Sequence, residues 1–151
     1  MKFRLILGLI AFLSLSSFQE KGTLKWYEWN EAYPLAQKTG KILLVDAYTD
    51  WCGWCKKMDR DTYSNPEIIA LLNKDFIVVK FNPELEGRVY KIDSLSFGPR
   101  EFYAQLHRGE STGFPTTYFI NPGKRNIFMD PGYRDPATFK QVLEYVLKEY
   151  K

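Results

Sequence analysis

Apolar and polar positions along the chain alternate between two kinds of run. Residues 42–48 (ILLVDAY) and 76–82 (FIVVKFN) are short and almost continuously apolar, the pattern of strands buried on both faces. Each carries one charge, Asp46 in the first and Lys80 in the second. Between and around them the pattern changes to helical spacing. Residues 30–39 predict a helix, with Asn30 as N-cap, Pro34 near the first turn and Gly40 as the stop. The run Ser64-Asn65-Pro66-Glu67 starts a helix to about residue 73. Residues 99–107 predict a short helix, and Asp135-Pro136 opens a last one with Phe139, Val142, Leu143, Val146 and Leu147 on one face.

Residues 23–26 predict a short edge strand. Residues 116–120 and 126–129 predict two strands joined by the turn Asn121-Pro122-Gly123-Lys124. Residues 83–98 mix Gly, Pro and both signs of charge and are treated as an irregular insertion. The resulting order is strand, helix, strand, helix, strand, helix, strand, strand, helix. That order implies an α/β domain with a mixed sheet covered on both faces.

The first residues stand apart. Lys2 and Arg4 precede an apolar stretch at 5–15, and Ser14 and Ser16 then occupy the −3 and −1 positions of a cleavage site. This is the layout of a secretory signal, and the stretch is shorter than the ~20 residues of a bilayer span. The expected organisation is a signal peptide at 1–16, with the cut between 16 and 19, and one domain over 20–151. Loss of Lys2 and Arg4 would take the net charge from +3 to +1. Such a nearly neutral chain, without a Lys/Arg run, does not fit a nucleic-acid-binding protein. Its 45% hydrophobic and 17% aromatic content supplies a core. Export would place the cysteines in an oxidising compartment.

The only two cysteines are Cys52 and Cys55, in Trp51-Cys52-Gly53-Trp54-Cys55. Such a pair can be half of a zinc site, a structural bridge or a redox dithiol. Zinc needs about four ligands, and His107 is the single histidine. A bridge across so few residues constrains little chain entropy. The redox reading is favoured because strand, turn and helix place the first sulfur at a helix N-terminus, where free N–H groups stabilise a thiolate. Cys52, at the exposed tip, would then attack a disulfide, and the more shielded Cys55 would resolve the mixed disulfide. Asp46 is the candidate base, since burial should raise its pKa toward neutrality; the alternative is a solvated strand-end residue. Lys80 either offsets the charge of Asp46 or snorkels from an edge into water.

At this point the residues resemble a known family. Leu44-Val45-Asp46 followed by Trp51-Cys52-Gly53-Trp54-Cys55-Lys56 is similar to the active-site segment of thioredoxin, and Gly113-Phe114-Pro115-Thr116 resembles its Gly-X-Pro-Thr segment. The likeness runs over residues 26–145. Residues 36–41 and 62–67 look most like bacterial secreted thioredoxin-related proteins, and the thioredoxin-like domain of DsbD-type thiol:disulfide interchange proteins is a further relative. The resemblance implies a thioredoxin fold in which Cys52 is the nucleophile, Cys55 the resolving cysteine, Asp46 the proton acceptor and Lys80 its partner. It further implies that Pro115 is a cis-proline facing the disulfide, where backbone pairs with an extended substrate; an ordinary trans loop proline is the alternative.

Three departures qualify what the resemblance implies. Trp54 stands where thioredoxin has proline and protein disulfide isomerase histidine, which leans toward a reducing or intermediate potential. Lys80 and Pro115 are farther apart than in plain thioredoxin, so the insertion either shapes a partner surface or is decoration. Export would separate the chain from the cytosolic reductase, so a reducing role would need a membrane-bound electron donor. Trp51, Gly53, Trp54, Phe114, Pro115 and Thr116 are the expected substrate-contacting residues. Trp26, Tyr27 and Trp29 either pack against the sheet or form a binding surface, and His107 reads as a helix-end surface residue. The expectation is an exported, monomeric thiol–disulfide oxidoreductase, more reducing than oxidising. It would need no cofactor or metal beyond its own dithiol and would act on disulfide-bearing secreted proteins. An oxidase or isomerase, and a non-enzymatic binding module, are the competing readings.

Overall fold

The computed structural model describes residues 22–110 and 112–151; the expected signal peptide lies outside them. The central sheet contains β1 (Trp26–Tyr27), β2 (Ile42–Ala47), β3 (Phe76–Phe81), β6 (Thr116–Asn121) and β7 (Asn126–Pro131), in the order β1-β3-β2-β6-β7. β1, β3 and β2 are parallel; β6 runs antiparallel to β2, and β7, antiparallel to β6, returns to the direction of the first three. All six residues of β2 are buried, because the strand is central and covered on both sides. That is why its sequence is a run rather than an alternation.

Alternate residues feed two cores. One face takes Leu43, Val45, Val79, Tyr118 and Ile120 against α1 (Trp29–Thr39) and α4 (Pro99–His107). The other takes Ile42, Leu44, Val78 and Phe119 against α2 (Gly53–Asp61), α3 (Pro66–Asp75) and α5 (Pro136–Glu149). This is the thioredoxin fold, with helices on both faces as expected. The segment counted as one helix before β3 is two, because the chain turns over residues 62–65 and Asn65 recaps it. The Asn65 side chain accepts from the Glu67 and Ile68 amides, and Asp135 caps α5 in the same way. Gly40, at φ 69°, closes α1 in the left-handed conformation that glycine adopts at least cost.

Two expectations change. Residues 83–98 are not irregular: they contain a hairpin of β4 (Tyr90–Ile92) and β5 (Leu95–Phe97). Tyr90 stacks on Phe102 at 4.6 Å and meets Phe81 edge-on at 5.1 Å, so the hairpin is part of the core. Asn30 is not a cap, since α1 begins at Trp29 and Pro34 falls in its second turn. The Asn30 side chain instead donates to Val89 O and accepts from Lys91 N. Trp29 Nε1 donates to Lys91 O at 2.7 Å. These three bonds fasten the hairpin to α1. Trp29 is therefore core, and Trp26 packs edge-on against Tyr63 at 5.2 Å.

Candidate active site

The site grows from the C-terminal end of β2. Beyond Ala47 the chain crosses a short loop and enters α2, whose N-cap is Cys52. A cap residue leaves the first amides of its helix free, and here the cap atom is sulfur: Cys52 Sγ accepts the Cys55 N–H at 3.1 Å. Cys52 and Cys55 form a disulfide with Cα atoms 5.3 Å apart. On reduction, the same amide and the positive end of the helix would favour a thiolate on Cys52. The expected exposure of Cys52 is corrected: both cysteines are buried, at 4% and 3%. The Cys52 sulfur is drawn over the first turn by its bonds to Cys55 Sγ and the Cys55 amide, which removes it from the surface.

Within the sheet, strand register lines up four polar residues. Lys80 on β3 is opposite Asp46 on β2, Asp46 is opposite Thr117 on β6, and Thr117 is opposite Asp130 on β7. Opposed residues point to one face of a sheet, here the face covered by α2, α3 and α5. Lys80 Nζ lies 3.2 Å from Asp46 Oδ2 and also pairs with Asp59 of α2. Asp59 follows Cys55 by four residues, so the two share a helix face. The ion pair therefore ties the helix that carries Cys55 to the strand that carries Asp46.

Asp46 is 2% exposed. Burial pushes its carboxyl up to about 6; the Lys80 ammonium opposes that rise and the Asp59 charge adds to it. Burial acts to lower the Lys80 ammonium, but the carboxylates of Asp46 and Asp59 outweigh it and hold the group above its usual value. Lys80 keeps its side chain 25% exposed, so it both pairs with Asp46 and reaches toward water. Rings of Tyr48 and Trp26 also face its Nζ, at 4.8 and 5.2 Å. Tyr63 stands beside the carboxylate and helps to pull its pKa down. Even so, Asp46 Oδ1, Tyr63 Oη, Thr117 Oγ1 and Thr49 Oγ1 are all buried without a partner at hydrogen-bond geometry.

Around the disulfide the surface is apolar. Trp51 and Trp54 are 68% and 59% exposed. Trp51 meets Phe114 edge-on at 6.0 Å, and its Nε1 donates to the Glu84 carboxylate at 3.1 Å. Trp54 lies 5.6 Å from Tyr133, whose hydroxyl donates to Asp61. Gly53 opens α2 and leaves free space, since a Cβ there would meet nothing within 4 Å. The Phe114–Pro115 bond is cis, and Pro115 O accepts the Gly132 N–H at 2.8 Å. Thr116 is fully buried and its hydroxyl donates to Gly113 O at 2.7 Å. It shapes the loop and does not offer its side chain to a substrate. His107 ends α4 and accepts the Gly109 N–H.

The structure thus joins Cys52 to Cys55, pairs Lys80 with both Asp46 and Asp59 of the helix that carries Cys55, and sets Phe114 against Trp51. Sequence reasoning missed Asp59, Tyr63, Thr117 and Glu84. The spacing of Asp59 from Cys55 was the one local signal among them.

Comparison with known proteins agrees with the geometry. The model of a thioredoxin-like family described as "Thioredox_DsbH: Protein of unknown function, DUF255" matches residues 14–151. Spermatogenesis-associated protein 20 of Mus musculus is 30% identical over 135 residues, covering 83% of this chain and 16% of that protein. Thiol:disulfide interchange protein DsbD of Salmonella typhimurium is 29% identical over 114 residues, covering 74% of this chain and 18% of that protein. The chain therefore spans less than a fifth of the length of either relative. A thioredoxin from Thermus thermophilus superposes with a TM-score of 0.65 at 26% identity, covering 83% of this chain and 88% of that one.

Proposed function

The chain belongs to the DUF255 family, whose model is described as Thioredox_DsbH, and it carries a CxxC disulfide; on that footing we propose that it is an exported protein-disulfide reductase. The observation that carries this reading is the pairing of two features: Cys52 Sγ capping α2 and a buried, proton-accepting Asp46 tethered through Lys80 to the helix of Cys55.

In the reduced form the Cys52 thiolate attacks one sulfur of a substrate disulfide. A mixed disulfide forms and the first substrate thiolate leaves. Cys55 gives its proton to the Asp46 carboxylate and attacks Cys52 Sγ as a thiolate. The Cys52–Cys55 bond forms and the second substrate thiolate leaves, taking up a proton. Two electrons pass from the dithiol to the substrate, and no cofactor or metal is needed. Trp51, Trp54 and Phe114 give the apolar rim on which an unfolded, disulfide-bearing secreted chain would rest. Trp54 supplies no second charge to stabilise the thiolate, which favours the reducing direction. A membrane-bound donor would restore the dithiol, and the protein would act as a monomer.

Cys52→Ser should abolish insulin-disulfide reduction, and Cys55→Ser should accumulate mixed disulfides; turnover by the first variant would overturn the scheme. The direction is tested by equilibration with dithiothreitol or glutathione. A potential near the thioredoxin end, about −270 mV, supports the reductase, and one near about −120 mV makes the protein an oxidant.

A further inference from the structure

At the end of the sheet opposite the dithiol, the hairpin roofs a cavity of about 460 Å³. Its floor is apolar, formed by Trp29, Tyr33, Ile92, Leu106, Ile120 and Ile127. Ile120 and Ile127 face each other across β6 and β7, far from the Thr116–Pro131 pair that borders the active site. A pocket of this size with an apolar floor and a few convergent polar groups is the usual form of a small-molecule site.

Besides Ser94 and Gln105, the cavity is lined by three charged groups, Asp93, Arg108 and Arg125, at the hairpin turn, the end of α4 and the β6–β7 turn. They share a second property. Among the described residues they are the non-glycine residues with positive φ, at 52°, 49° and 53°. Elsewhere that conformation is given to glycine, at Gly40, Gly87, Gly109 and Gly132. A left-handed position ordinarily takes Gly or Asn because other side chains crowd the backbone there. Two arginines placed at such positions, both on one cavity, supply guanidinium groups that glycine could not, and strain of this kind gathers at ligand sites.

Charge then selects the occupant. Asp93 is already engaged, accepting from Gln37 Nε2 at 3.1 Å and lying 3.9 Å from Arg125. Arg108 takes part in no ion pair among the described residues; it donates to Arg125 O at 3.4 Å. One positive charge is left over beside an apolar floor. We propose that this cavity binds a small organic monoanion with an apolar body, its acid group on Arg108 and Arg125 and its body against Trp29, Tyr33 and the isoleucines. This binding is separate from the dithiol chemistry and does not rest on it.

The test uses the intact chain with 1-anilinonaphthalene-8-sulfonate, an aromatic monoanion whose fluorescence rises in apolar surroundings. One probe should bind per chain, and decanoate should displace it while decanol should not. Arg108→Asn with Arg125→Asn removes both charges and suits the left-handed backbone, so folding is retained; affinity should fall about tenfold, or 1.4 kcal/mol. Ala104→Trp, which fills the cavity wall, should abolish binding. Both variants should keep the wild-type rate of insulin-disulfide reduction. Probe binding that survives both variants, that decanol competes equally well, or that is lost instead in Trp51→Ala would overturn the assignment.

Discussion

Asp46 and Asp130 lie one strand away from Thr117 in either direction, yet their carboxylates are held in opposite ways. Asp130 faces a guanidinium fork: Arg134 Nε lies 3.1 Å from both of its oxygens, and Nη2 lies 2.5 Å from one of them. Every acceptor position that matters is filled by a group that does not give up its proton. Asp46 has one contact, at 3.2 Å, from the single ammonium of Lys80, and its Oδ1 has no partner at all. The two acids share a sheet face and a common neighbour, so burial alone does not separate them. The difference lies in the occupancy of the oxygens. A filled carboxylate fixes structure, whereas one with a free oxygen can take a proton.

The sharpest way to break this comparison is Asp46→Asn. The loss of the proton acceptor should slow disulfide exchange about a hundredfold at pH 7, and the rise of the wild-type rate through about pH 6 should vanish with it. Stability should move the other way. The folded carboxyl titrates at about 6 against an ordinary 3.8, so between those values the folded chain holds a proton that the unfolded chain has released. The stability this brings is complete below about pH 4 and is lost as pH rises through 6. At pH 7 the buried charge therefore costs about 2–3 kcal/mol, and the asparagine variant should be more stable by about that much in urea unfolding. A variant that loses activity without gaining stability would deny Asp46 its buried, half-partnered character.

Arg134→Ala makes the opposite cut. It leaves Asp130 buried with both oxygens bare, so the oxidised chain should lose about 2–3 kcal/mol in urea unfolding, while exchange at the dithiol should change less than threefold. An equal loss of exchange rate would show that the row from Asp130 to Asp46 acts as one unit.

Much of this arrangement could be read from the chain, because it is written locally. The β2 run, the Cys52–Cys55 spacing and the caps at Asn65 and Asp135 each depend on neighbours a few residues apart, and α4 spans residues 99–107 as its pattern predicts. The hairpin was missed because each strand is three residues long, although Tyr90-Lys91-Ile92 and Leu95-Ser96-Phe97 both alternate around Asp93-Ser94. Asp46 and Lys80 stood out as lone charges in apolar runs. Asp59, by contrast, has only its spacing from Cys55 to set it apart from any solvated helix residue, and Tyr63 and Thr117 look like any core or strand residue. Their roles come from register and packing between elements distant in sequence, which local patterns do not record. Cys52 was expected at the surface because a cap position is a tip; its own bonds in the oxidised state draw it in.

Tyr63→Phe is the finest probe of the half-filled state of Asp46. The ring is fixed by Trp26 at 5.2 Å and Phe139 at 5.6 Å, so phenylalanine should keep the packing and remove only the hydroxyl. That hydroxyl pulls the Asp46 carboxyl down, though less than Lys80 does. Its removal should therefore shift the acid limb of the exchange profile upward. The maximal rate should stay unchanged, since the acceptor oxygen remains. A structural role alone would lower stability and leave the limb where it is. A downward shift would mean that the hydroxyl favours the protonated acid, and Asp46 would then be filled by a donor on one side and an acceptor on the other.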